Sequence, residues 1–229
     1  MNDKVIGILG GMGPEASAFY YTQIVKRTKV HKDQDHFHVI VESNPKIPDR
    51  TRSILGLGES PLPELIKSID RLNRMNIDQA FITCITSHYF YPELVKHAKF
   101  ELVNALECLN IQLHKDGIKK VGLLATSGTI KTQLFNHYLK DIEVIVPSES
   151  IQTNYVMDAI YHPETGIKSG HVDGYPISQL IHAGQSLIEN GAEVLIGGCT
   201  EISMVLKKEM FSVGLYDPMI VTIDSLINK

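Results

Sequence analysis

Three cysteines in 229 residues are too few, and odd in number, for a disulfide framework. The chain therefore reads as one whose thiols stay reduced, in a cytoplasmic setting. Long apolar runs are missing too. No stretch approaches the roughly 18 residues that a membrane-spanning helix needs. Met1-Asn2-Asp3-Lys4 leads straight into a strand-like run, without the apolar segment of a signal peptide. Charge of one sign is also scarce: 22 Lys and Arg against 26 Asp and Glu give a net charge of −4, which leaves no electrostatic case for nucleic acid. Like-charge blocks and low-complexity segments do not occur. What is present, 43% hydrophobic and 21% charged residues, is enough to bury a sizeable core in one large or two modest domains.

The chain repeats itself. Gly7, in Val5-Ile6-Gly7-Ile8-Leu9, matches Gly122, in Lys120-Val121-Gly122-Leu123-Leu124, at an offset of 122 − 7 = 115 residues. Gly13 and Gly128 keep the same offset, and so do Cys84 and Cys199. One supersecondary unit used twice is the natural reading. Phe81-Ile82-Thr83-Cys84 and Leu195-Ile196-Gly197-Gly198-Cys199 are each short apolar runs that end in a thiol followed by small polar residues. That pattern belongs to buried strands whose carboxyl ends open onto a ligand crevice.

Strand and helix alternate along both halves, so the expected class is α/β with parallel sheets. The first strand, Lys4 to Leu9, runs into Gly10-Gly11-Met12-Gly13, and Pro14-Glu15 suits the first turn of a helix. Two prolines make Asn44 to Thr51 a stiff extended loop that delivers Arg50 to a fixed place. Apolar residues at Leu62, Leu65, Ile66, Ile69 and Leu72 predict an amphipathic helix. In the second half, a helix from Ser148 carries Ile151, Tyr155, Val156 and Ile160. The glycine-rich stretch Thr165 to Pro176 is long enough for a functional lid. A strand near Val213 and a helix from about Pro218 close the chain.

Several chemistries compete for these residues. A single buried cysteine is usually packing, and Cys108, which has no partner at the repeat offset, reads that way. Two thiols at equivalent strand ends are a different matter, because paired acid and base groups on opposite faces of a carbon are what inversion of that carbon requires. Gly11-Met12-Gly13-Pro14-Glu15-Ala16 matches the G-x-G-x-x-A dinucleotide turn, and Glu42 is placed to serve as the ribose acid. A nicotinamide-dependent oxidoreductase is therefore the alternative enzyme. Pro14, however, removes a backbone donor that would face a pyrophosphate. A non-catalytic amino-acid-binding protein is a third reading. A metal site from Cys84, His88 and Cys199 lacks the close-spaced ligand pair typical of zinc. His88 fits either a base beside a thiol or a polar residue at a strand-to-helix corner. Arg50 and Lys168 are suited to gripping carboxylates, one by a bidentate fork and the other as a point charge.

Taken together, Gly10 to Ala16, Pro48-Asp49-Arg50-Thr51, Cys84 with Thr86, Gly166-Ile167-Lys168 and Gly198-Cys199-Thr200-Glu201 resemble the aspartate/glutamate racemase family, in its aspartate racemase branch. The resemblance implies two Rossmann-like lobes related by a pseudo-two-fold, with the active site in the cleft between them. It places lobe one at 1–101 with 213–229 returning to it, and lobe two at 102–212. It implies catalysis by Cys84 and Cys199 without pyridoxal phosphate, metal or other cofactor, on a small acidic amino acid, aspartate foremost, in a protein that is often a homodimer. It assigns substrate contacts to Met12, Arg50, Thr51, Ile85, Thr86, Ser87, Thr126, Thr129, Lys168, Thr200 and Glu201. The sequence departs from the family pattern around the first thiol: Thr83-Cys84-Ile85-Thr86 stands where the family usually reads Pro-Cys-Asn-Thr, so Ile85 replaces a side-chain amide.

Overall fold

The computed structural model describes residues 4–228. In chain order the first half runs β1 (Val5–Gly10), α1 (Pro14–Arg27), β2 (His38–Ser43), α2 (Arg50–Ile54), α3 (Leu62–Asn73), β3 (Gln79–Ile82), α4 (Tyr91–His97) and β4 (Glu101–Val103). After α5 (Ala105–Lys115) come β5 (Lys120–Leu124), α6 (Ser127–Lys131), α7 (Leu134–Tyr138), β6 (Glu143–Ile145), α8 (Glu149–Ile151) and α9 (Asp158–Tyr161). The chain ends with α10 (Tyr175–Glu189), β7 (Val194–Gly197), α11 (Thr200–Val205), β8 (Gly214–Tyr216) and α12 (Pro218–Ile227).

These strands build two four-stranded parallel sheets with the same order, β2-β1-β3-β4 and β6-β5-β7-β8. The duplication read from the sequence is thus a duplication of topology. It extends to register, because Gly7 lies opposite Ala80 on β3 and Gly122 lies opposite Leu195 on β7. The two glycines share a physical cause. A Cβ on Gly7 would meet Ile77 at 2.5 Å, and one on Gly122 would meet Leu195 at 2.7 Å and Leu187 at 2.9 Å. At either position a side chain would force its neighbours to shift.

The chain divides into two compact units, Met1–Ala105 with Met219–Lys229, and Leu106–Pro218. In the first, Leu9, Ile82 and Cys84 pack with Leu65, Ile69 and Leu72 of α3, and Ile47 joins this core from the proline-rich segment. The periodicity that predicts α3 is therefore its buried stripe. In the second, Leu124, Leu195 and Cys199 pack with Leu180, Ala183 and Leu187 of α10 and with Ile202 and Val205 of α11.

The expected lobe boundary needs correction at both crossings. β4, with Leu102 and Val103, pairs with β3 and stays in the first unit, so the crossing falls after Ala105 rather than 101. β8 pairs with β7 in the second sheet, and only α12 returns to the first unit. There Arg27 of α1 holds Asp224 with a 3.0 Å ion pair. Local differences are smaller. Arg50 and Thr51 open the helix α2, capped by the Asp49 carboxylate, which accepts from the Arg52 N–H at 2.8 Å. After β5 the chain forms two short helices, α6 and α7, separated at Gln133, which is left-handed (φ 51°). The Ser148 helix contains a π-helical stretch, Gln152–Met157.

Candidate active site

In the first unit the carboxyl ends of β1 and β3 adjoin, as the Thr83 N–H donates to the Leu9 carbonyl at 3.0 Å. β1 ends in the glycine turn. Gly11 has φ +89°, and a Cβ there would lie 2.3 Å from the Asn44 backbone, so glycine satisfies both the conformation and the space. Ser17 of α1 ties the turn down by accepting from the Gly11 N–H at 2.8 Å and donating to the Gly13 carbonyl at 3.2 Å.

Arg50 is anchored on this turn. Its Nη1 donates to the carbonyls of Ile47 (3.3 Å) and Pro48 (3.1 Å), and its Nη2 to that of Met12 (3.4 Å). Met12 is buried, and its sulfur accepts from the Ser87 hydroxyl at 3.3 Å. Cys84 stands at the start of a 3₁₀ turn, Ile85–Phe90, whose Ser87 N–H donates to the Cys84 carbonyl. Thr51, Ile85, Thr86 and Ser87 are all buried. Met12, Arg50, Cys84 and Ser87 thus form one connected cluster.

His88 belongs to the support rather than the chemistry. It is fully buried, and its Nδ1 lies 3.1 Å from the Cys84 carbonyl and 3.2 Å from that of Ile85. Carbonyls only accept, so Nδ1 carries the proton, and Nε2 is left to accept from the Ala105 N–H at 3.3 Å. Burial pushes its pKa down to about 4, against the pull of the two carbonyls. A neutral ring with both nitrogens engaged is neither a base for the thiol nor a metal ligand. Among the described residues, no group of three or more His, Cys, Asp or Glu side chains is placed to hold a metal ion.

In the second unit the corresponding strand ends also adjoin, with the Gly198 N–H on the Leu124 carbonyl at 2.7 Å. After β5, Thr126 caps α6 by accepting from the Thr129 N–H, and the two threonine hydroxyls lie 3.2 Å apart. Gln152, which no sequence pattern marks, holds this loop. Its Nε2 donates to the Ala125 carbonyl at 2.9 Å and to the Ser127 hydroxyl at 3.3 Å, from the first residue of the π-helical stretch.

Beyond β7, Cys199 donates from Sγ to Glu201 Oε2 at 2.8 Å, and the Thr200 hydroxyl donates to the same oxygen at 3.1 Å. Glu201 Oε1 pairs with Lys168. Burial pushes the Glu201 carboxyl up, but the Lys168 ammonium and the hydrogen bonds from Cys199 and Lys168 outweigh it and hold the group below its usual value. Burial likewise disfavours the Lys168 charge, yet Glu201 and then Cys199 keep it raised. The Lys168 ammonium also lies 5.5 Å from the centre of the Tyr161 ring.

The segment that carries Lys168 is not a loose loop. Ile167 is buried in the core, and the Gly166 N–H donates to the His162 carbonyl at 2.9 Å. Lys168, expected from the sequence to face a substrate carboxylate, therefore meets a carboxylate of its own chain. Glu42, the acid that the dinucleotide reading requires, is occupied by Ser68 (2.9 Å) and Arg71 (2.8 Å) of α3.

Two four-stranded parallel sheets of the same strand order match the two-lobed fold of racemases of known structure. Residues 9–226 match the family model described as Asp/Glu/Hydantoin racemase, and the chain belongs to that family. It is accordingly an isomerase of the racemase type. An aspartate racemase from Picrophilus torridus is similar in structure, with a TM-score of 0.82 and 25% identity, over 99% of this chain and 95% of that one. A glutamate racemase from Francisella tularensis, solved with D-glutamate, shares the fold at a TM-score of 0.71 and 17% identity, over 100% of this chain and 81% of its own. A broad specificity amino-acid racemase of Bacillus subtilis, RacX, is 22% identical over 218 residues, which is 93% of this chain and 92% of that protein. No helix among the described residues is long and apolar enough to cross a membrane.

Proposed function

We propose that the protein inverts the α-carbon of a small acidic amino acid, aspartate foremost, with Cys84 and Cys199 as the two proton-transferring groups. The observation that carries this reading is the equivalence of the two thiols: each stands just past the third strand of its own sheet, beside a loop fixed by hydrogen bonds. In one direction, one sulfur as thiolate removes the α-proton and becomes a thiol. The electron pair left on carbon is delocalised into the α-carboxylate. The other sulfur, as thiol, then delivers its proton to the opposite face and becomes the thiolate. Atoms and charge balance, and the two sulfurs exchange roles for the reverse reaction.

The added negative charge needs fixed donors. Arg50, oriented by three carbonyls, is the candidate partner for one carboxylate, and the Thr126–Thr129 loop and the Ser87 hydroxyl are candidates for the amino-acid portion. The reading includes a homodimer in a reducing cytoplasm. Light scattering of the purified protein checks the first, and fractionation of the source cells the second.

Incubation with L- and D-aspartate in heavy water tests the reaction. The expected result is loss of chirality together with deuterium at the α-carbon. No inversion and no exchange with aspartate, glutamate or neutral amino acids would overturn it, and binding without turnover would favour a non-catalytic amino-acid binder.

Ile85 supports a second reading of substrate range. It is a buried apolar side chain where the family resemblance calls for an amide. A site with one fewer polar contact discriminates less between side chains, in keeping with the similarity to a broad specificity relative. Comparable turnover of several amino acids would favour this range over aspartate alone.

A further inference from the structure

The family resemblance gives Glu201 a substrate contact, but its two oxygens are already committed: one accepts from Cys199 and Thr200, and the other holds Lys168. Its side chain is 8% exposed and that of Lys168 is 29% exposed, so the pair is largely shielded from water. An anionic carboxylate 2.8 Å from a sulfur favours the protonated sulfur, because a thiolate there would place two negative charges in contact. Among the titratable and charged groups around this sulfur, Glu201 on α11 touches it, Lys168 on the 3₁₀ turn Ile167–Ser169 holds the other oxygen of that carboxylate, and Tyr161 at the end of α9 lies beyond the ammonium.

We propose that Glu201 is a positioning residue: clamped by Lys168, it holds Cys199 as the proton-loaded thiol of the resting protein, so that Cys199 is the resting acid. Lys168 acts on the thiol in two ways. It fixes the carboxylate that accepts the Sγ–H, and its charge limits the penalty when that proton leaves. The significance of the assignment rests on the two-thiol reading above, but the pairing is measurable without turnover.

The experiment follows thiolate absorbance against pH in a Cys84→Ser/Cys108→Ser background, where Cys199 is the only remaining cysteine. Glu201→Gln keeps the shape and removes the negative charge, and it should move the transition down by about one pH unit or more. Lys168→Met removes the cation and should move it up. Circular dichroism confirms that each variant is folded. A merely structural Glu201 predicts no such opposite pair of shifts. A transition that stays put, or moves the other way, in either folded variant overturns the proposal. If Glu201→Gln does not fold, Lys168→Met decides alone, and an unmoved or lowered transition overturns it. Should the shifts appear while the intact protein inverts no amino acid, the pairing stands and the proposed reaction falls.

Discussion

Arg50 shows how much a single side chain depends on its hydrogen-bonding geometry. Its guanidinium spans three carbonyl oxygens that a lysine ammonium cannot reach together. Arg50→Lys is therefore expected to lower kcat/KM on aspartate by about thirty-fold or more, the range for truncating a charged partner in a shielded site. Steady-state kinetics on aspartate and on a neutral amino acid check it, since equal losses on both would assign Arg50 to the α-carboxylate. His88 gives a second expectation. Its folded pKa of about 4 lies below the ordinary value of 6.5, so the fold favours the neutral ring. That contribution is complete above pH 6.5, declines below it, and is gone once pH has fallen through about 4. It amounts to about 3 kcal/mol. Urea unfolding from neutral to acid pH should show that loss in the wild type and a flatter profile in His88→Gln. The two thiols, Arg50 and the threonines can be singled out as candidates from the sequence, because residue type and position name them. The state of Glu201 cannot, since it is set by Lys168, 33 residues away in sequence.

At the scale of elements, the β1–α1 turn contains two glycines with opposite demands. Gly11 has φ +89° and no room for a Cβ, whereas Gly13 has φ −94° and open space where a Cβ would sit, with no heavy atom within 4 Å. Gly11→Ala should cost about 2 kcal/mol or more, and Gly13→Ala close to nothing. Denaturant midpoints of the two variants separate them directly. The sequence pattern G-x-G treats the two glycines alike, and only the approach of Asn44 distinguishes them. The same limit explains the other local differences. Two prolines correctly mark the 44–49 segment as irregular, but the Asp49 cap starts a helix at Arg50 that proline counting does not reveal. Apolar spacing finds the 149–161 helix, yet spacing cannot show the π-helical stretch, whose first residue, Gln152, secures the Thr126–Thr129 loop.

For the whole molecule, the 115-residue offset carries the architecture, because duplicated topology repeats its glycines and strand ends. It extends to the last elements. β8 stays with its own sheet as β4 does, and α12, which follows β8, crosses to the other unit as α5 does after β4. Met219, Ile223 and Leu226 of α12 are buried, so Ile223→Ala should destabilise the protein by about 2–4 kcal/mol. Asp224→Ala, which breaks a half-exposed ion pair, should cost less than about 1 kcal/mol. Chemical denaturation of both variants tests the contrast.

This arrangement also bears on how the chain is made. A ribosome completes Leu106–Pro218, one uninterrupted stretch, before it supplies the helix that the earlier-made unit still needs. Vectorial synthesis, which usually lets the N-terminal part finish first, here leaves the N-terminal part waiting. Nascent chains stalled just short of α12 are expected to protect the second unit from protease while leaving the first one open to cleavage.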